Sequence, residues 1–140
     1  MADPLIVIDS SEIRKGKLEE VKAAVTELIE FVRANEREPI AYSVYFDEAR
    51  SRMTVLQVHP GSASMEAHLE MAGPLFRKFT DLLALSRVDF YGRPSEALLG
   101  KMRQKAQLLG GAPVVVNDLH AGFTRFGSPL LPQFDELERR

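Results

Sequence analysis

The chain has 140 residues, 45% of them hydrophobic and 27% charged, with a formal net charge of -2; these are ordinary globular values, and one domain spanning 1–140 is expected. A chain of this length buries about 70% of its unfolded surface, so it needs no stapling metal or disulfide, and its weak charge gives no reason to expect nucleic acid or an anionic membrane as a partner. It has no cysteine, which removes thiol catalysis, thiolate metal sites and disulfides and fits a reducing, cytoplasmic setting.

The opening MADPLIVIDSS has no basic region followed by a long apolar core, so no secretory signal is read there. No apolar run approaches the roughly 20 residues needed to span a bilayer. Leu5 to Asp9, LIVID, reads as a strand buried on both faces, bounded by Pro4 and Ser10-Ser11. A helix is expected from Gly16-Lys17 to about Asn35. Leu18, Val21, Val25, Leu28, Ile29 and Val32 form its apolar stripe, and Glu19, Glu20, Lys22, Glu27, Glu30 and Arg33 its solvated face. Pro39 separates it from the next strand.

Two alternating strands follow, Ile40 to Asp47 and Met53 to His59. One register places Ile40, Tyr42, Val44, Phe46, Thr54, Leu56 and Val58 together under the helices. Ala41, Ser43, Tyr45, Val55, Gln57 and His59 then share the other face. That mixed face suits a second sheet or a ligand better than water. Pro60-Gly61 ends the hairpin. Ser62 or Ser64 is expected to cap the next helix, which carries His68 one turn in and breaks at Gly73-Pro74 before resuming from Leu75. Ser86 to Gly92 reads as the fourth strand, with Val88 and Phe90 on one face and Arg87, Asp89 and Tyr91 on the other. Beyond Arg93-Pro94, Ser95 caps a third helix whose stripe is Leu98, Leu99, Met102, Ala106 and Leu109. Gly110-Gly111 stops it. Val114 to Val116 is a fifth strand, HAGFTRF (120–126) a candidate sixth, and 127–140 a tail.

The element order strand-helix-strand-strand-helix-strand points to an α+β fold. With the segment YSVYFDEARSRMTVLQVHPGSASMEAHL it makes residues 1–93 resemble the dimeric α/β barrel superfamily, within it the antibiotic biosynthesis monooxygenase (ABM)-like domain. The resemblance implies a ferredoxin-like βαββαβ core, an antiparallel sheet with helices on one face, and a homodimer closing a barrel. It also matches His68 to a histidine borne on the helix after the hairpin. It leaves the helix-strand extension, 94–126, unexplained. The chain has no tryptophan, unlike several oxygenase and haem-degrading members, which weakens carry-over of their chemistry.

The candidate site groups are His59, at a strand end, and His68, nine residues on. Imidazole titrates near neutrality, so His68 suits a base that takes a proton from a phenol or an activated CH. A structural role, bonding a backbone carbonyl to fix the helix, is the simpler reading. Tyr45 could bond a substrate oxygen or pack at a dimer interface. Ser43, Gln57 and Arg87 could orient a ligand, although Arg87 and Asp89 form an ion pair more simply. No recognised spacing supplies a third metal ligand, so no metal and no cofactor is expected. No phosphate loop, Ser-His-Asp spacing or dinucleotide fingerprint is present. The expected function is a cofactor-independent monooxygenase-like activity on a small aromatic or quinol-type molecule. The alternative is a non-catalytic small-ligand-binding or dimerisation protein of the same fold.

Overall fold

The computed structural model describes residues 4–126; the tail expected over 127–140 lies outside them. The elements are β1 (Leu5–Ile13), α1 (Leu18–Asn35), β2 (Ala41–Asp47), β3 (Arg52–His59), α2 (Ser62–Phe76), β4 (Leu83–Tyr91), α3 (Glu96–Leu108) and β5 (Val114–Asn117). The strands form one sheet in the order β2-β3-β1-β4-β5. Every pairing is antiparallel except β4 with β5. The first four strands and α1 and α2 are the expected ferredoxin-like core. The extension beyond residue 93 adds a parallel βαβ unit, in which α3 returns the chain to the edge of β4.

β1 runs past the Ser10-Ser11 pair that was expected to end it, because cross-strand bonding continues to Glu12 on both sides. It is buried on one face, not two. Leu5, Val7, Asp9, Ser11 and Ile13 are buried, while Ile6, Ile8 and Ser10 are half-buried. A shift of register between Ser10 and Ser11 against β4 leaves Ser86 unpaired, a β-bulge. It lets Leu83, Leu85, Val88 and Phe90 all sit in the core despite their change of parity. Val21, Val25, Leu28 and Val32 of α1, Met65, Leu69, Ala72 and Phe76 of α2, and Leu98, Leu99, Met102 and Ala106 of α3 pack in the same core. Burying each of the larger side chains contributes about 1.5–3 kcal/mol.

The hairpin register differs from the expected one. Asp47 pairs with Arg52, and the partners run through Tyr42↔Gln57 and Val44↔Val55. Four residues, Glu48 to Ser51, make the connection, and an even count must pair odd positions with even ones. A 3₁₀ turn, Glu48–Arg50, forms there. Asp47 accepts from the Arg50 backbone N–H at 3.3 Å, and Ser51 adopts a left-handed φ of 52°. So Tyr42, Val44 and Phe46 share the helix-covered face with Met53, Val55, Gln57 and His59. Ala41, Ser43, Tyr45, Thr54, Leu56 and Val58 lie on the uncovered face.

Three local expectations also change. α2 has Gly61 at its N-cap with no side-chain cap, because the Ser62 and Ser64 hydroxyls bond elsewhere. The helix runs through Gly73-Pro74 and tightens into a 3₁₀ turn only at Arg77–Phe79. Residues 120–126 form no strand. They are largely exposed, with Arg125 stacked on the Phe123 ring at 4.8 Å. The Ser95 cap is present, accepting from Leu98 N–H at 3.1 Å, and Gly110 and Gly111 leave α3 at φ values of 117° and 82°. Among the described residues no helix is long and apolar enough to cross a membrane.

Candidate functional site

The helix-covered face of the sheet carries a polar seam through the apolar core. Asp9 and Ser11 come from β1, Tyr42 from β2, and Gln57 and His59 from β3. α2 adds Ser64 and His68, and both histidine rings are fully buried. Polar groups in such a place are costly unless they are bonded, so each bond has a consequence.

His59 is satisfied at both ring nitrogens. Gln57 Oε1 lies 2.8 Å from Nε2 and Ser64 Oγ 2.7 Å from Nδ1. An amide oxygen can only accept, so Nε2 carries the hydrogen and Nδ1 accepts from the Ser64 hydroxyl. Burial, with the His68 ring beside it, lowers the His59 pKa to about 4. It is a neutral cross-link between β3 and the start of α2.

His68 is built differently. Its Nδ1 lies 3.0 Å from each carboxylate oxygen of Glu36, whose side chain is 4% exposed. A carboxylate accepts, so Nδ1 donates. Nε2 is buried and has no partner among the described residues. The ring sits edge-on to Tyr42 at 5.1 Å and to Phe76 at 5.5 Å, with His59 at 6.2 Å. Burial pushes the His68 pKa down and the Lys105 charge adds to that, while the Glu36 bond and charge pull it up. A neutral His68 held in this tautomer presents an unprotonated Nε2, the form a general base requires.

Tyr42 and Phe76 also wall a cavity between the sheet and the helices. It holds about 40 Å³ of solvent-sized space within a hollow of about 440 Å³ that includes its mouth. Its polar lining is Asp9, Ser11, Tyr42 and Lys105; the rest is apolar, including Val55, Phe79 and Leu85. Burial raises the Asp9 pKa against the pull of Lys105, and lowers that of Lys105 against the pull of Asp9. Burial and the charges of Asp9 and Glu36 push the Tyr42 phenol up. On the other side of Tyr42 a surface groove of about 420 Å³ runs along the end of α1, lined by Arg33, Glu36, Arg37 and Ile40 among others. Tyr42 is therefore the wall between groove and cavity.

The structure brings together only some of the expected residues. His59, His68 and Gln57 share one polar cluster. Ser43 and Tyr45 lie on the opposite face of the sheet, and Tyr45 is 58% exposed. This corrects their placement beside His59 and follows from the four-residue turn. Arg87 is likewise on the uncovered face. It donates to both oxygens of Asp89, at 2.7 and 3.1 Å, within its own strand. Asn117 of β5 also donates to Asp89, at 3.1 Å. Among the described residues no three His, Asp or Glu side chains group as metal ligands.

Glu36, Asp9, Tyr42 and Lys105 were not singled out by sequence, yet each leaves a trace. Glu36 is an acid just past the end of a helix, where the dipole disfavours negative charge. Asp9 continues the parity of Leu5 and Val7. Tyr42 lies on the apolar side of its strand. Lys105 falls within the stripe formed by Leu98, Met102 and Leu109.

No protein-family model and no curated protein matches the chain. Solved structures do. MupZ from Pseudomonas fluorescens aligns with a TM-score of 0.69 at 19% identity, covering 89% of this chain and 96% of its own. SnoaB, a cofactor-independent oxygenase from Streptomyces nogalater, aligns with a TM-score of 0.57 at 11% identity over 67% and 96% of the two chains. A provisionally assigned antibiotic biosynthesis monooxygenase from Caulobacter crescentus gives 0.56 at 14% identity over 62% and 86%. The last two cover about as much of this chain as its ferredoxin-like core; the MupZ match must reach into the α3–β5 extension as well. The chain thus has the ferredoxin-like α+β fold of these structures, with an added helix and strand.

Proposed function

We propose that this protein is a cofactor-independent oxygenase acting on a small aromatic or quinol-type molecule bound in the cavity between sheet and helices. One observation carries the reading. The Glu36 carboxylate holds His68 Nδ1–H and leaves Nε2 buried, without a partner, beside two residues that wall the cavity. An oriented imidazole with a free Nε2 can take a proton from a phenol or an activated CH. The resulting anion is electron-rich enough to react with dioxygen, the co-substrate. A methylene oxidised to a carbonyl, or a quinol to a quinone, balances with one molecule of water or of hydrogen peroxide. His68 is the catalytic base in this reading, Glu36 its positioning residue, and Tyr42 a candidate donor to the substrate oxygen. His59 and Gln57 act by holding β3 to α2. SnoaB, a cofactor-independent oxygenase of similar fold, is consistent with it.

The test is oxygen uptake with a panel of quinols and anthrone-type aromatics in the presence of a metal chelator. Enzyme-dependent uptake lost in His68→Asn supports the reading. Unchanged uptake in that variant, or none with any such compound, sinks it.

The narrowness of the enclosed space, about 40 Å³, favours a second reading, a non-catalytic dimerisation protein of the same fold. In either case we propose a homodimer through the uncovered sheet face, where Ile6, Ile8, Leu56 and Val115 are half-buried and Tyr45 and Tyr91 are exposed. Light scattering distinguishes dimer from monomer.

A further inference from the structure

Among the described residues Lys105 is the one cationic side chain lining the cavity, and it comes from α3, in the extension beyond the ferredoxin-like core. Its Nζ sits over the face of Phe76, 4.0 Å from the ring centre, and the edge of that ring meets His68. Ammonium and aromatic ring line the cavity together, and the His68 imidazole packs against that ring outside the lining. Asp9 lines the same cavity, yet no ion pair joins it to Lys105, and no described carboxylate lies within ion-pair distance of Nζ. A cation in such surroundings is costly without a counter-charge. Phe76 supplies part of the compensation through its ring. An anionic oxygen in the cavity would supply the rest.

The other titratable groups around this space do not offer that counter-charge. Glu36 is engaged by His68, and the Tyr42 phenol holds its proton. Burial pushes Asp9 towards its neutral acid and Lys105 towards its neutral amine, each against the pull of the other, so an anionic oxygen beside Nζ would hold Lys105 in its charged form. His59 is closed by Gln57 and Ser64.

We propose that Lys105 is the anion-recognition residue of the cavity, selecting a small aromatic ligand in its phenolate form and stabilising the oxyanion that forms when the proton leaves. This rests on the oxygenase reading for the identity of the base, but the recognition itself needs no turnover. It assigns a role to α3: the extension adds to the core's hollow the positive charge that the core does not provide. Fixed charge aimed at a developing oxyanion is the usual largest contribution to such a step.

The probe is 4-nitrophenol, whose neutral and anionic forms differ in absorption, titrated with pH in the presence of excess intact protein. Wild type is expected to bind the anion at least about tenfold more tightly than the neutral form, lowering the bound ligand's pKa by about one unit or more. Lys105→Met should abolish that preference and Lys105→Arg should keep most of it. Lys105→Gln serves if the Met variant does not fold, as judged by circular dichroism. The preference is read without turnover, so its failure is distinguishable from failure of the oxygenase reading. Absence of binding to wild type, binding without preference for the anion, or a preference that survives loss of Lys105 overturns the proposal.

Discussion

The two buried histidines lie 6.2 Å apart and nine positions apart in sequence, and their surroundings are opposite in kind. His59 spends both ring nitrogens on neutral partners, Ser64 and Gln57. His68 spends one on a carboxylate and has no partner for the other among the described residues. The first arrangement is a cross-link, because everything it could donate or accept is already used. The second is an oriented imidazole with a nitrogen still able to accept. Residue type and burial do not separate them; the partner of each nitrogen does.

The largest expected effect tests the base. His68→Asn should lower any proton-abstracting activity about 10²–10⁴-fold. It should cost only about 1–2 kcal/mol of stability, since Asn can still donate to Glu36. Steady-state kinetics and urea unfolding read the two quantities separately. Glu36→Gln should lower kcat about 10²–10³-fold without removing the ring, because the amide can donate to Nδ1 and move the hydrogen to Nε2. Nitrogen NMR of His68 should then report the switched tautomer; an unchanged tautomer with full activity would refute the positioning role.

His59→Leu should do the reverse, leaving Gln57 and Ser64 unpaired in the core at a cost of about 3 kcal/mol in urea unfolding. Loss of activity at unchanged stability would instead move His59 into the chemistry. The same contrast has a pH signature. An unfolded histidine takes up its proton near pH 6.5 and folded His59 only near 4. Between those values the unfolded chain binds more protons, so stability falls as pH falls. The contribution is intact above pH 6.5 and fully lost below 4, reaching about 3 kcal/mol. Unfolding midpoints from pH 7.5 to 4 should show this slope in wild type and a shallower one in His59→Leu. The smallest effect is expected at Tyr45, on the other side of the sheet. Tyr45→Ala should leave cavity binding unchanged and shift monomer stability by no more than about 0.5 kcal/mol. A loss of ligand binding would mean that the uncovered face belongs to the site.

Much of the fold is legible from local pattern. The stripe of α1, the alternation of β2 and β3, the Ser95 cap and the Gly110-Gly111 stop all predict what forms, because each depends on residues within a few positions. The site is less legible. His59, His68 and Gln57 can be picked out as unusual polar residues in apolar segments. Which of them meet depends on the hairpin register, which an even-numbered connection without glycine sets through a 3₁₀ turn and a left-handed Ser51. That one-residue difference separates Ser43 and Tyr45 from Gln57 and His59, which move to the helix-covered face beside Tyr42.

Sequence by itself therefore determined the order and type of the elements, the resemblance of the first 93 residues, and the choice of His68 as a candidate. Periodicity, caps and breakers act over one or two turns, so a single chain read in order reveals them. Tertiary structure alone decided that Glu36 holds His68, that Asp9 and Lys105 face one hollow without pairing, and that His59 is closed. Those outcomes depend on bonds between groups 32 residues apart in the Glu36–His68 case, and on a cavity that exists only after three helices have packed on the sheet.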